Sequence, residues 1–152
     1  MNPEHREEIE YVTVMVGEQL FGLPIARVHD VFLPAQLTPV PLAKPEIAGI
    51  LNLRGRIVTA IDMRQRLHLP PPEKGGERMA VGIEWRGESY GLLVDSVGEV
   101  IKLPRAGRDP NPANLHPSWA AVAAGVHRLE AGLMVVLDVD RVLEPKPHAL
   151  AA

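Results

Sequence analysis

Tyr11-Val12-Thr13-Val14-Met15-Val16-Gly17-Glu18-Gln19-Leu20-Phe21-Gly22-Leu23 alternates Val12, Val14 and Val16 with Thr13 and Met15, breaks at Gly17-Glu18, and turns apolar again at Leu20 and Phe21. Alternation at period two around a Gly-containing break predicts a β-hairpin. The pattern returns later: Met79 to Trp85 alternates, Arg86-Gly87-Glu88 turns, and Tyr90-Gly91-Leu92 resumes an apolar strand. A shift of 69 residues lays Val12 on Val81, Val14 on Ile83, Phe21-Gly22-Leu23 on Tyr90-Gly91-Leu92, Val28 on Val97, Asp30 on Glu99 and Val31 on Val100. Further on, a shift of 76 lays Gly49 on Gly125, Leu53 on Leu129, Ile57 on Leu133, Ile61 on Leu137, Asp62 on Asp138 and Leu67 on Leu143. Chain order is kept, and glycines and acids coincide along with the apolar residues. Shared β-alternation alone does not require that, so the chain reads as an internal duplication. The change of shift places seven extra residues in the second copy, within the Pro- and Ala-rich stretch Arg105 to Ala124.

Between these landmarks, Ile25 to Phe32 has apolar residues at mixed spacing, which fits a short helical turn or a strand. Pro34, Pro39, Pro41 and Pro45 exclude a long helix from the next stretch, because proline lacks the amide donor and restricts its predecessor. Ile50 to Leu53 and Ile57 to Ile61 read as two strands around Arg54-Gly55-Arg56, and Asp62 to Leu67 as one helical turn. Pro70-Pro71-Pro72-Glu73-Lys74-Gly75-Gly76 is a stiff and then flexible connector unsuited to a strand. The expected architecture is all-β with short helices, as two pseudo-duplicated barrel-like subdomains packed together. They are placed at about 11–69 and 78–144, joined by a linker at 70–77 within a single domain of 11–144. Residues 1–10 are expected to be a flexible lead-in and 145–152 a tail.

The chain has 152 residues, 46% of them hydrophobic but only 4% aromatic, so its core must be built from Val, Leu, Ile, Ala and Met. The lack of Cys removes disulfides, thiol nucleophiles and thiolate metal sites, and favours a cytosolic location. His5, Arg6, Glu7 and Glu8 occupy the place where an export signal would need an apolar run. Charged residues or prolines interrupt every stretch that approaches a membrane span of about 20 apolar residues, so direct membrane insertion is not expected. A net charge of −3 with interspersed signs gives no nucleic-acid footprint.

Reactive constellations are equally sparse. His5, His29, His68, His116, His127 and His148 include no pair at helical metal-ligand spacing, and Ser89, Ser96 and Ser118 lack a nucleophile elbow. Asp138 and Asp140 have the chemistry for acid–base work, but Asp62 sits at the place matching Asp138, which makes Asp138 a strand-end residue instead. Lys74-Gly75-Gly76 lies in the connector and forms no phosphate loop. No catalytic residue, metal or cofactor is expected, and a chain rich in strands and poor in reactive groups works by binding. A small ligand in the groove between the halves is the alternative.

Gly49-Ile50-Leu51-Asn52-Leu53-Arg54-Gly55-Arg56-Ile57-Val58-Thr59-Ala60-Ile61-Asp62-Met63-Arg64 resembles the hallmark of the CheW-like family of chemotaxis coupling proteins, a Gly-Val-Ile-Asn-Leu-Arg-Gly segment followed by an apolar strand and Asp-Leu-Arg. Phe21 to Ile25, Val28 to Val31, Tyr90 to Val100 and Leu137 to Leu143 support the likeness, which spans about Tyr11 to Leu143. The resemblance implies two five-stranded β-barrels and a cytoplasmic adaptor, associated with membrane receptor arrays. Its implied partners are the tip of a methyl-accepting chemoreceptor and the regulatory domain of a CheA-type histidine kinase, which has the same fold. By motif position, receptor contact falls on Val28, Asp30, Gly49 and Arg54, and kinase contact on exposed apolar positions at the barrel ends. Asp30 departs from the commoner Glu, Phe32-Leu33-Pro34 replaces a more polar turn, and the Arg105 to Ala124 loop departs with its prolines and Ala120-Ala121-Val122-Ala123-Ala124, so a paralogue serving a pilus-motility, second-messenger or other chemosensory-type pathway is the alternative within the family. Arg54 is either a solvated turn residue or a partner contact, and nearby Arg64 is the natural control for it.

Overall fold

Gly17 stands at φ 63°, the left-handed conformation a tight turn demands, and it joins β1 (Glu8–Val16) to β2 (Gln19–Pro24) as the alternation predicts. The computed structural model describes residues 7–34, 36–72 and 77–144. After β2 the segment with mixed spacing resolves into both alternatives, a 3-10 turn at Ile25–Arg27 and then β3 (Asp30–Phe32). The chain continues through β4 (Ile47–Leu53), β5 (Arg56–Asp62) and α1 (Met63–Arg66). Past the connector come β6 (Met79–Trp85), β7 (Glu88–Val94), β8 (Ser96–Pro104), α2 (Pro117–Ala120), β9 (Ala123–Leu129), β10 (Gly132–Leu137) and α3 (Val139–Leu143). Asp62 caps α1 by accepting from the Arg64 and Gln65 amides, and Asp138 caps α3 by accepting from the Arg141 amide. The repeated aspartate thus ends a strand and starts a helix in both copies.

The ten strands form two five-stranded sheets, ordered β8-β1-β2-β10-β9 and β3-β6-β7-β5-β4. Exchanging each strand for its counterpart in the other copy turns one order into the other, so the duplication is a property of the fold. The registers agree too: Val31 pairs with Val81 and Val100 with Val12, related by the same shift of 69. The subdomain boundaries expected from the sequence do not survive. Each sheet combines a hairpin from one copy with three strands from the other, so 11–69 and 78–144 are not separate barrels. Alternation and turn residues specify the hairpins, but the parallel pairings of β2 with β10 and β5 with β7 are long-range choices that no local pattern encodes. Of the linker at 70–77, residues 73–76 lie outside the described residues, as does the whole of the expected tail at 145–152. The lead-in expected at 1–10 is also shortened, because Glu8, Ile9 and Glu10 belong to β1 and pair with Pro104, Leu103 and Lys102.

Three apolar cores follow from this arrangement. The largest lies between the sheets and joins Val12, Val14, Val16 and Phe21 of the first to Val81, Ile83, Tyr90 and Leu92 of the second, with Leu67 and Leu143 from the helical turns. Each sheet also keeps a smaller core, around Tyr11, Met134 and Val136 in the first and Phe32, Leu51, Val58 and Leu93 in the second. Tyr11 and Thr13 are therefore buried on the face that simple alternation assigns to solvent. Full burial of such side chains contributes about 1.5–3 kcal/mol each, enough for a domain without disulfides.

The extra residues of the second copy are also placed. Single-residue bridges extend β4 through Thr38–Ile50 and β9 through Asp109–Val126, and most of the added length falls between Asp109 and Val126, where α2 sits. Trp119 on α2 uses it to reach the first copy: its indole N–H donates to the Leu67 carbonyl at 2.9 Å, and its ring lies 5.5 Å from that of Phe21.

Candidate functional site

β4 and β5 are joined by Arg54 and Gly55 alone, at φ 52° and 84°, the positive pair of a type I′ turn. Asn52 Oδ1 accepts from the Gly55 amide at 2.8 Å and holds the turn shut, which projects the exposed Arg54 outward. On the other side of the same sheet, β3 pairs with β6 so that Asp30 stands opposite Gly82, and the His29 amide donates to the Gly82 carbonyl at 2.7 Å. Gly82 has no Cβ, and the Asp30 carboxylate lies in the space a Cβ would take.

Asp30 and Arg54 line one cavity of about 110 Å³ at the end of the second sheet. His29, Arg56, Glu84 and Ser89 bring polar groups to it, over an apolar floor of Phe32, Leu53, Val58 and Ile83. The Arg56 and Glu84 charges approach to 3.8 Å, both side chains more than half exposed, a loose pair worth little in water. Tyr90 donates its hydroxyl to Glu88 at 2.8 Å, and burial, reinforced by that bond, pushes the phenol well above its ordinary range. The tyrosine is thus a neutral wall of the cavity. No group of three His, Cys, Asp or Glu among the described residues is placed to hold a metal ion.

The strand order, the duplicated registers and this polar recess can be set beside known proteins. The CheW-like domain matches residues 10–146. The chain belongs to the CheW-like family. The chemotaxis protein CheW of Treponema pallidum is 27% identical over 144 residues, covering 92% of this chain and 85% of that protein. Its counterpart in Bacillus subtilis is 26% identical over 144 residues, covering 95% and 92%. The crystal structure of the scaffolding protein TtCheW from Thermoanaerobacter tengcongensis aligns with a TM-score of 0.82 at 26% identity, covering 95% of this chain and 98% of that one.

Within this CheW-like chain the four residues singled out by motif position separate into two kinds. Asp30 and Arg54 both line the cavity. Val28 is half-buried, packs against the central core and donates its amide to the Ile25 carbonyl at 3.1 Å. Gly49 is buried at φ 151°, and a Cβ there would stand 2.7 Å from the Thr38 carbonyl oxygen. Its counterpart Gly125, at φ 141°, meets the Asp109 carbonyl in the same way. Both glycines permit a strand bulge and the adjoining bridge, and neither offers a side chain to a partner. Sequence reasoning missed Arg56, Gly82 and Glu84. Arg56 stood in the motif, but Gly82 and Glu84 belong to the second copy and reach the cavity through the exchange of strands.

A second concave region of about 1130 Å³ lies beside the connector, lined in part by Arg64, Pro70, Arg78, Asp95 and Trp119. Its two arginines are already paired, Arg64 with Asp95 at 2.6 Å and Arg78 with Asp62 at 3.0 Å. Asp95 titrates below the usual carboxylate range because the Arg64 guanidinium bonds to it, helped by the Gly17 amide. This region holds the sheets together, while the cavity of the second sheet keeps Arg54 without an ion-pair partner among the described residues.

Proposed function

We propose that this chain is a chemotaxis adaptor that binds the cytoplasmic tip of a methyl-accepting receptor and the regulatory domain of a CheA-type histidine kinase, and catalyses nothing itself. The observation that carries the proposal is a family match over the whole ten-strand fold, with Asp30 and Arg54 of the family motif lining one recess. A guanidinium is a planar set of donors suited to carboxylates and backbone carbonyls, and such groups anchor interfaces. Asp30 supplies the complementary acceptor. Val28 and Gly49 serve this surface by packing and by shaping the strands beneath it.

The kinase contact falls on apolar side chains left in solvent. Val31 on β3 and Ile57 on β5 are 40% and 58% exposed, and their counterparts Val100 on β8 and Leu133 on β10 are 48% and 42% exposed. A regulatory domain of the same fold would meet similar surfaces on either sheet. No helix among the described residues is long and apolar enough to cross a membrane, and the proposed place of action is the cytoplasm, at arrays formed with the receptors.

The test is reconstitution. Wild-type protein should bring together a soluble receptor signalling fragment and the kinase, raise kinase autophosphorylation in that mixture, and show no ATP hydrolysis alone. Separate binding to neither partner would overturn the proposal.

A further inference from the structure

The two sheets are built alike but do not end alike. At the positions of the second sheet's recess, the first sheet carries Thr13 for Gly82, Met15 for Glu84, Leu20 for Ser89 and Gly132 for Arg56, by the shifts that relate the copies. Thr13 uses its hydroxyl locally, donating to the Glu99 carbonyl at 2.6 Å, and Glu99 is the counterpart of Asp30. In the second sheet the corresponding hydroxyl and methyl are absent, and the Asp30 carboxylate lies across β6 in their place. The backbone of β6 does not itself require glycine, since Gly82 is outside the left-handed region. What its missing Cβ provides is room for one carboxylate.

We propose that Gly82 is the positioning residue of the receptor site, holding the Asp30 carboxylate in the recess that Arg54 also lines. This rests on the reading of Asp30 and Arg54 as receptor contacts. The recess then offers an acceptor and a guanidinium on one lining, a pattern that takes a donor-bearing side chain and a carboxylate from the same segment of the receptor. The first sheet, where the Thr13 hydroxyl is spent on the Glu99 carbonyl of β8 and Met15 and Gly132 stand in place of Glu84 and Arg56, lacks the pattern.

Gly82→Ala puts a methyl group where the Asp30 carboxylate sits. The clashing atom is the far end of a flexible side chain, so the carboxylate swings away while the strand keeps its pairing. Affinity for a receptor signalling fragment, measured by calorimetry on the full chain, should fall about tenfold, the loss of one interface anchor. Affinity for the kinase regulatory domain and the melting temperature should stay at wild-type values. If Gly82 acts through Asp30, the pair is non-additive: Gly82→Ala should cost nothing further in an Asp30→Ala background. That double variant also removes the clash and keeps the test decisive if the single variant folds poorly. Receptor affinity of Gly82→Ala equal to wild type, or losses that add, would overturn the positioning role. Wild-type receptor affinity in both Asp30→Ala and Arg54→Ala would instead overturn the site reading on which it rests.

Discussion

Arg64 forks onto Asp95, its Nε donating to one carboxylate oxygen at 2.9 Å and its Nη2 to the other at 2.6 Å. The same carboxylate accepts from the Gly17 amide at 2.7 Å, and the Asp95 amide donates to the Met15 carbonyl at 2.9 Å. Arg64 belongs to α1 behind the second sheet, Gly17 to the β1–β2 turn of the first, and Asp95 to the single residue where the chain passes from β7 to β8. One ion pair thus ties the crossing point to both sheets.

Arg64 is accordingly no neutral control for Arg54. Both partners are about one-fifth exposed, so the pair is only partly screened, and Arg64→Ala leaves Asp95 with the Gly17 and backbone bonds alone. The substitution should cost about 2 kcal/mol, the scale for a charged hydrogen-bonded pair, and lower the melting temperature by several degrees. Thermal melts of the full chain check this, and a loss under about 0.5 kcal/mol would show that the pair is surface decoration.

The exchange of strands predicts how the halves behave when separated. A fragment ending at Pro72 contains β1 to β5 but lacks β8, β10 and β9 for its first sheet and β6 and β7 for its second. Expressed alone, either half should be unfolded or aggregated, because each leaves strand edges and both small cores open. Expressed together, the halves should associate into a complex with the circular dichroism spectrum of the intact chain. Independent folding of either half, as separate barrels would allow, would contradict the topology.

Most of the local structure was legible in the sequence, and the long-range pairing was not. Gly17-Glu18, Arg54-Gly55 and Arg86-Gly87 announced their hairpins because positive φ demands particular residues. The duplication was legible because Asp62 and Asp138 cap equivalent helices and Gly49 and Gly125 crowd equivalent carbonyls. Nothing local to Phe21 or Val135 states that their strands run parallel and adjacent, so the sequence halves could not be assigned to sheets. The site was legible in half for the same reason: Asp30 and Arg54 lie in the motif, whereas Gly82 acquires its meaning only opposite Asp30.

Acid should lower the stability of the protein over two separate pH ranges. His127 on β9 is buried with Nε2 unpaired, its ring edge-on to Tyr11 at 5.6 Å. Burial, with the Arg108 charge adding to it and Asp109 opposing, holds its pKa below the ordinary 6.5. The unfolded chain therefore takes up a proton at that site before the folded chain does, so stability falls as pH drops below about 6.5. Asp95 and Asp140 have folded pKa values below the ordinary 3.8, through Arg64 and Arg27 respectively, and their contribution is lost only as pH falls below about 4. Urea midpoints between pH 8 and 3 should show both slopes. His127→Phe, which preserves the ring packing and discards an unpaired nitrogen, should flatten the upper slope and leave the lower one. An unchanged slope between pH 7 and 5 in that variant would clear His127 of the effect.

Gly49 and Arg54, five residues apart on one hairpin, should fail in opposite ways. Gly49→Ala sets a Cβ 2.7 Å from the Thr38 carbonyl oxygen at a φ of 151°, so backbone must move, at a cost of about 2 kcal/mol. Any loss of receptor binding in that variant should track the loss of folded protein and recover at lower temperature. Arg54 is exposed on its turn and has no ion-pair partner among the described residues, so Arg54→Ala should change stability by no more than about 0.5 kcal/mol. Its receptor affinity should nonetheless fall by about 2 kcal/mol, the scale of an interface anchor, with kinase binding intact. Melting curves and receptor titrations on the two variants, side by side, separate a residue that shapes the surface from one that touches the partner. Wild-type receptor affinity in folded Arg54→Ala would remove Arg54 from the site while leaving the fold and the family assignment as they stand.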